Sequence, residues 1–371
     1  MPPTTHTSRP LSGPLDLDLL RARLSGRCSE WQVESIAETG STNADLMRRF
    51  SDQSQDARTR LRQLPNALSW SEACAAFPPC ARVAGVQTAG RGRLGRPWRS
   101  ASGKSLLFSL GIVMPRPVGA LSGLSLAIGL GVIDGLRALP LSEAARLGLK
   151  WPNDILLDDA KLGGILIETS ASTAHACALV IGIGLNIDAP PASPSATEQE
   201  ETKGAGGTDG GERHGGGGGG DGDGGSSSSS SSSSSGVSST AASSAVATAL
   251  PPAHLAMLLP TALRDAPRDA LLTEVFAAIL PAVSAVLARF ATEGLAPFSA
   301  RWWEMHRFAQ RSVSIIDNGE TKLSGTAVGI DQYGRLIIDT AHGNDPSALV
   351  TVTAGDVSLR LTNAMVGAND A

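Results

Sequence analysis

A low-complexity tract running from about residue 190 to residue 250 cuts this chain in two. It contains six consecutive glycines (215–220) and ten consecutive serines (226–235). Such a segment cannot bury enough apolar surface to offset the entropy of ordering it, so it is expected to be disordered. It reads as an insertion within a domain, a dispensable surface loop, rather than a linker between domains. Any core must therefore be assembled from the flanks, residues 30–190 and 250–362. A hydrophobic share of 42% is enough for that. A chain of 371 residues has room for two domains.

The N-terminal flank begins with a short helix near 15–24 and a strand near 31–36. Thr42-x-x-Asp45 has the form of a capping box, so a helix is expected to start there. Residues 51–80 look irregular. Strands follow at 82–88 and 105–113, then a helix over 119–139, whose uncharged run fits a buried core helix better than a membrane span. Further strands are expected at 161–168 and, almost wholly apolar and so central, at 179–187. After the tract, Leu271, Val275, Ile279, Val283 and Leu287 share one helical face, with a kink expected at Pro281 and a stop at Gly294. A shorter helix is expected over 297–305. From Arg311 the apolar period changes to two. Five short strands (313–316, 324–330, 335–340, 349–353, 357–361), with Asp317-Asn318-Gly319 as a hairpin signal, suggest a small barrel.

Against this frame, Gly90-Arg91-Gly92-Arg93-Leu94-Gly95-Arg96-Pro97-Trp98 stands out. Between Ala73 and Ile133 there are seven Lys/Arg and no Asp or Glu, although the whole chain carries a formal charge of −4. Local segregation of this kind suits an anion, since glycines let the backbone approach a ligand and guanidinium groups fork onto carboxylate or phosphate. A solvated basic loop would carry the same charges. Gly90, Gly92 and Gly95 imitate a dinucleotide fingerprint, but no helix start follows and position 110 is Leu. Gly103-Lys104-Ser105 imitates the end of a phosphate-binding loop, but Trp98 stands where its first glycine belongs.

Two other polar stations interrupt apolar strands: Ser41-Thr42-Asn43, and Lys150 to Lys161 with Asp154 between. No Ser/His/Asp or Cys/His pairing is evident, so no covalent enzyme intermediate is expected. Cys28, Cys74, Cys80 and Cys177 are scattered and read as reduced structural thiols. No signal peptide precedes the first element, and the expected location is cytoplasmic. Cation-rich sites without a nucleophile suit charge movement between carboxylate and phosphate, with the reactants held together by fixed charge.

The GRGRLGRPW loop, Lys150-Trp151-Pro152-Asn153-Asp154, Lys161-Leu162-Gly163-Gly164-Ile165-Leu166 and Gly182-Ile183-Gly184-Leu185-Asn186 together resemble the motifs of bacterial biotin–protein ligases, in the same order and at similar intervals. The type resembled is the monofunctional one, since about forty residues before the first motif leave too little room for an N-terminal winged helix-turn-helix.

The resemblance implies an α+β fold. A catalytic domain (30–309, interrupted at 190–250) with a central mixed sheet flanked by helices, the biotin–lipoate ligase fold related to class II synthetases, would precede an SH3-like barrel (310–362). Residues 1–29 would be an extension. The implied substrates are biotin and ATP, with Mg²⁺, and the implied acceptor is a lysine of the biotin carboxyl carrier protein of acetyl-CoA carboxylase. A homodimer is compatible with the family. No nucleic acid or membrane partner is expected.

Carried over by position, Ser41, Thr42, Asn43 and Gln87 would hold the biotin ring, offering the donors and acceptors a ureido group needs. Arg91, Gly92 and Arg93 would close over biotin and the adenylate. Lys161 would approach the biotin carboxylate and the phosphate, making Arg91, Arg93 and Lys161 the catalytic set. Trp98 would pack on adenine, Lys150 and Asn153 would face the phosphates, Asn186 would meet adenine or ribose, and Asp154 would take Mg²⁺. Arg311 would lie at the junction with the barrel. The rivals are a lipoate ligase or octanoyltransferase of the same fold, and a nucleic-acid-binding regulator using the basic loop, which would want basic residues and aromatics spread over a face.

Overall fold

The computed structural model describes residues 13–52, 59, 61–98, 100–189, 252–317, 319–341, 348–354 and 357–362. The Gly/Ser-rich tract and Arg99 lie outside them.

Seven strands form a mixed sheet: β1 (Gln32–Thr39), β2 (Cys80–Gln87), β3 (Ser105–Met114), β4 (Leu147–Lys150), β5 (Asp154–Leu157), β6 (Ala160–Ser172) and β7 (Cys177–Asn186), in the order β1-β2-β3-β7-β6-β5-β4. Only β1 and β2 run parallel; every other neighbouring pair is antiparallel. All ten residues of β3 are buried and β7 lies beside it, so the near-continuous apolar runs sit at the centre of the sheet.

The two faces of the sheet do different jobs. On β3, Phe108 meets Phe276 edge-on, with ring centroids 5.2 Å apart. Phe276 belongs to α6 (Arg268–Glu293), which packs with α4 (Leu124–Arg137) over that face. The next residue, Ser109, points the other way and bonds to Asn43 on α2 (Thr42–Asp52). The first face is the core and the second carries the polar stations. The α4–α6 crossing is close because Gly135 lacks a side chain: a Cβ there would stand 2.5 Å from the Ile279 Cα.

Helix α6 is long and apolar enough to cross a membrane by length and composition, but α4 and the core side chains cover it on its buried faces. It runs as one helix through Pro281 to the stop at Gly294, whose φ of 69° suits glycine. The remaining helices are α1 (Leu17–Leu24), α3 (Trp70–Ala76), α5 (Thr261–Arg264) and α7 (Ser299–Met305). Within the stretch expected to be irregular, α3 is a correction. Its start is a capping box in which the Glu72 amide donates to Ser69 Oγ and the Ser69 amide donates to Glu72 Oε2.

The second sheet is wholly antiparallel, in the order β11-β10-β9-β8-β12: β8 (Ser312–Asp317), β9 (Glu320–Ile330), β10 (Leu336–Asp339), β11 (Leu349–Val352) and β12 (Val357–Leu361). It is the SH3-like domain, built around Val313, Ile315, Ala327, Leu336, Ile338 and Leu359. Two contacts fasten it to the seven-stranded sheet's side of the chain. The buried Trp151 donates its indole N–H to the Gly334 carbonyl at 3.0 Å, and Arg311 holds both oxygens of Asp159 at 2.8 and 2.9 Å.

Candidate functional site

The site lies on the α2 face, over β3, β7, β6 and β5. Strand register arranges it in two rows. Ser109 pairs with Gly182 across β3 and β7. Two residues further along β7, Gly184 pairs with Gly164 on β6, which in turn pairs with Asp154 on β5. Two residues along a strand span about 7 Å, so the rows are one small molecule's length apart.

The first row is polar and buried. Ser41, Thr42 and Asn43 are each 5% exposed or less, and Ser109 is fully buried. The Thr42 amide donates to Gln87 Oε1 at 2.8 Å, Thr42 Oγ1 lies 2.6 Å from Ser109 Oγ, and Ser109 donates to Asn43 Oδ1 at 2.5 Å. Asn43 Nδ2 donates to Glu168 Oε2 at 2.7 Å. Asn43 fits only because Gly182 is bare: a Cβ there would stand 2.3 Å from Asn43 Oδ1. The expected capping box at Thr42 is not formed. Ser41 sits at the cap and weakly accepts from the Ala44 amide at 3.4 Å. Asp45 instead accepts from Thr39 Oγ1 and Arg82. Thr42 is thereby left to the polar chain.

The second row is charged. Asp154 accepts from Lys150 at 2.8 Å and from Lys161 at 2.6 Å. Burial pushes its carboxyl up, but the two ammonium groups outweigh this and hold its pKa at about 2. Asp154 is therefore ionised at any working pH, and the clamp keeps one net positive charge. The trio does not fit a protein-held Mg²⁺ as arranged. Both Asp154 oxygens already face cations, and no group of three or more His, Cys, Asp or Glu that could hold a metal stands among the described residues.

The arginine loop closes down onto this row. The Trp98 amide donates to the Gly90 carbonyl and the Gly92 amide to the Arg96 carbonyl, with Arg91 and Pro97 bridging, so the loop is a narrow finger. Its tip needs positive φ at Leu94 (60°) and Gly95 (67°). Trp98 lays its indole on the glycine floor: a Cβ on Gly184 would stand 2.8 Å from ring carbons Cε2 and Cζ2. Lys161 Nζ lies 5.6 Å from the same ring's centroid. The indole Nε1 is buried and has no hydrogen-bond partner among the described residues. Arg93 donates to Asn153 Oδ1 at 3.3 Å and to the Ala354 carbonyl of the barrel, so loop, β4–β5 turn and barrel meet at one guanidinium. Arg91 is exposed beside it.

Asn186 ends β7 buried. Its Nδ2 donates to the Ala253 and Lys161 carbonyls at 3.1 and 3.4 Å, so it ties the chain after the insertion to the site's edge. The structure thus gathers Thr42, Asn43, Gln87, Arg93, Trp98, Lys150, Asn153, Asp154 and Lys161 around the two rows. Sequence reasoning missed Ser109, Glu168 and Ala354. A lone serine inside an otherwise apolar strand was a signal for the first. Ala354 contributes only a carbonyl, which leaves no trace in side-chain chemistry.

The model of the biotin/lipoate A/B protein ligase family matches residues 77–186, and that of the biotin protein ligase C-terminal domain matches residues 311–360. The two stretches thus match, in chain order, the biotin/lipoate ligase family model and the C-terminal domain model of biotin protein ligases. It is 38% identical over 191 residues to the biotin–[acetyl-CoA-carboxylase] ligase of Mycobacterium tuberculosis, covering 50% of this chain and 62% of that one. To the bifunctional ligase/repressor BirA of Escherichia coli it is 29% identical over 278 residues, covering 75% and 65% respectively. The chain therefore spans somewhat less than two thirds of the length of these curated relatives. In fold it is similar to a mutant biotin protein ligase from Aquifex aeolicus solved with biotin, with a TM-score of 0.50 and 20% identity over 90% of this chain and 100% of that one. The two family matches embrace the arginine loop, the charged row, the glycine floor and the barrel.

Proposed function

We propose that this chain is an ATP-dependent ligase. It would join biotin to AMP and pass the biotinyl group to a lysine of the biotin carboxyl carrier protein of acetyl-CoA carboxylase. The observation that carries the reading is the pairing of a buried polar chain with a clamp of net positive charge about 7 Å away along one strand. A bicyclic ureido head fits the first row and a carboxylate with a phosphate fits the second. Two of the curated relatives it resembles are named biotin–[acetyl-CoA-carboxylase] ligase.

In the first half-reaction a biotin carboxylate oxygen attacks the α-phosphorus of ATP. The new O–P bond forms as the bond to pyrophosphate breaks, leaving biotinyl-5′-AMP. Negative charge gathers on the α-phosphoryl oxygens and the leaving group. Lys161, 44% exposed at its side chain, paired with Asp154 and lying over the Trp98 ring, can turn towards that charge, while Lys150, Arg91 and Arg93 supply the remaining field. Mg²⁺ would enter with the nucleotide's phosphates, and no step is assigned to it. In the second half-reaction a neutral lysine amine of the acceptor attacks the acyl carbon. A C–N bond forms, the C–O bond to AMP breaks, and the amine proton passes to solvent. Nothing on the enzyme is acylated. The reaction is placed in the cytoplasm, and the protein is taken to work alone or as a homodimer.

The sister reading, a lipoate ligase or octanoyltransferase, is weaker on two counts. An aliphatic head would leave the Thr42–Ser109–Asn43 chain without a ligand partner, which is costly for buried polar groups. A transferase also needs an acyl-accepting nucleophile, and burial pushes the thiols of Cys28 and Cys74 up to about 11 and raises those of Cys80 and Cys177. The test is exchange of labelled pyrophosphate into ATP with biotin, lipoate and octanoate in parallel. Exchange with biotin alone is expected. Exchange with lipoate, or none with any acid from folded protein, overturns the proposal.

A further inference from the structure

The polar row has a direction, and one residue outside the sequence motifs sets it. We infer that Glu168 is a positioning residue that fixes the hydrogen-bond polarity of the ligand pocket through Asn43. The inference rests on the reading of that pocket as the biotin-ring site.

A carboxylate only accepts, so Glu168 requires the Asn43 Nδ2 to face it, at 2.7 Å. Asn43 Oδ1 must then face Ser109, whose single hydroxyl hydrogen it takes at 2.5 Å. With that hydrogen spent, the 2.6 Å contact between Ser109 and Thr42 can be made only by the Thr42 hydroxyl donating. Thr42 then has no hydrogen left for Gln87, 3.2 Å away, and the Thr42 backbone amide alone donates to Gln87 Oε1 at 2.8 Å. Two things are left for a ligand: an unshared pair on the Thr42 oxygen, and the Gln87 Nε2 donors. A head with both an N–H and a carbonyl satisfies them together. Each link is a forced choice, so one acceptor at the far end decides what the near end offers.

The geometry leaves Asn43 little other freedom. Gly182 lies against its amide closely enough that any Cβ would collide, so the amide plane is held and only a flip of its ends remains. Glu168 is half-buried on β6, away from the charged row, and Asn43 is its hydrogen-bonded side-chain partner among the described residues.

A donor in place of Glu168 reverses the sequence. Asn43 would turn its oxygen outward and its Nδ2 to Ser109. Ser109 would donate to Thr42, and Thr42 to Gln87. The Thr42 oxygen would then spend one of its two lone pairs on Ser109 and its hydrogen on Gln87, leaving a single, more crowded pair for the ligand's N–H.

The experiment is calorimetric binding, without ATP, of biotin and of its cyclic carbonate isostere, in which both ring N–H groups are oxygen. Wild type is expected to prefer biotin. Glu168→Gln, which offers an acceptor and a donor, should keep part of that preference, falling between wild type and the lysine variant. Glu168→Lys should reduce the preference severalfold, up to about tenfold, the worth of one weakened hydrogen bond. Should the lysine variant fail to fold, Glu168→Ala, which frees the amide to flip, should lower the ratio in the same direction. A merely structural role would weaken both ligands alike and leave the ratio unchanged, which would overturn the inference. So would a loss of preference in Glu168→Gln equal to that in Glu168→Lys or Glu168→Ala. Failure of wild type to bind biotin at all would instead sink the reading of the pocket, and the inference with it.

Discussion

Replacing Gly184 by alanine puts one methyl group between the sheet and the Trp98 indole. The new Cβ would stand 2.8 Å from two ring carbons and 3.2 Å from Nε1. Carbon atoms rest about 3.5–4.0 Å apart, so the ring must rise by roughly 1 Å. The φ of Gly184 is not in the positive range, so alanine suits the backbone there. Removing glycine's freedom from the unfolded chain favours folding by about 0.4–1 kcal/mol, which offsets much of the strain passed to a loop that can lift. Global stability should therefore change by less than about 1 kcal/mol. Function should not be spared. Trp98 closes the loop through its amide bond to Gly90, and Lys161 lies 5.6 Å from its ring. A displacement of about 1 Å near reacting groups can cost on the order of 100-fold in rate. The assay is biotin-dependent pyrophosphate exchange, beside urea unfolding of the same preparation. Full exchange activity with unchanged stability would refute the claim that the indole's seat on the glycine floor positions the site.

Three further outcomes are expected. Asp154 has a folded pKa of about 2 against an ordinary 3.8, so its stabilisation is complete above the unfolded value and fades as pH falls through 2. It amounts to roughly 2 kcal/mol, and urea unfolding between pH 5 and pH 2 should show Asp154→Asn losing that much less than wild type; parallel curves would contradict this. His306 is buried beside Trp302, with Nδ1 3.2 Å from the Leu149 carbonyl, and burial, helped by the Lys150 charge against that carbonyl's pull, lowers its pKa to about 4. The unfolded chain then binds the extra proton between pH 6.5 and 4, so stability falls by roughly 3 kcal/mol as pH drops through that window, and His306→Phe should flatten the fall in thermal melts. Arg93→Gly cuts the links to Asn153 and Ala354, and should speed release of biotinyl-AMP and label bystander lysines. Unchanged adenylate dissociation would count against a sealing role.

The strand and helix pattern was legible where burial imposes a period. Strands β3 and β7 declared themselves by nearly continuous apolar runs, and the barrel by its switch to alternation. Helix α3 was overlooked because its seven residues are too few for a period to show, although its Ser69/Glu72 box was there to be read. The start of α2 was placed correctly for a wrong reason: Thr42 has the spacing of a cap, but Ser41 occupies that place and Thr42 turns to Ser109.

Sequence alone determined the chemical inventory: a glycine-spaced arginine loop, Lys150 and Lys161 on either side of Asp154, and hydroxyl and amide groups ahead of a helix. Those are properties of residue type and short spacing, carried by neighbours in the chain. What only the tertiary structure decided is who answers whom. Glu168 lies 125 positions from Asn43, and Ala354 lies 261 from Arg93; each pair meets because strand register and the docking of the barrel bring them within hydrogen-bond reach. The two Asp154 oxygens, free in the sequence to take a metal, are shared between Lys150 and Lys161 for the same reason. A hydrogen bond depends on distance and direction to within tenths of an ångström, and that information does not exist until the chain has folded.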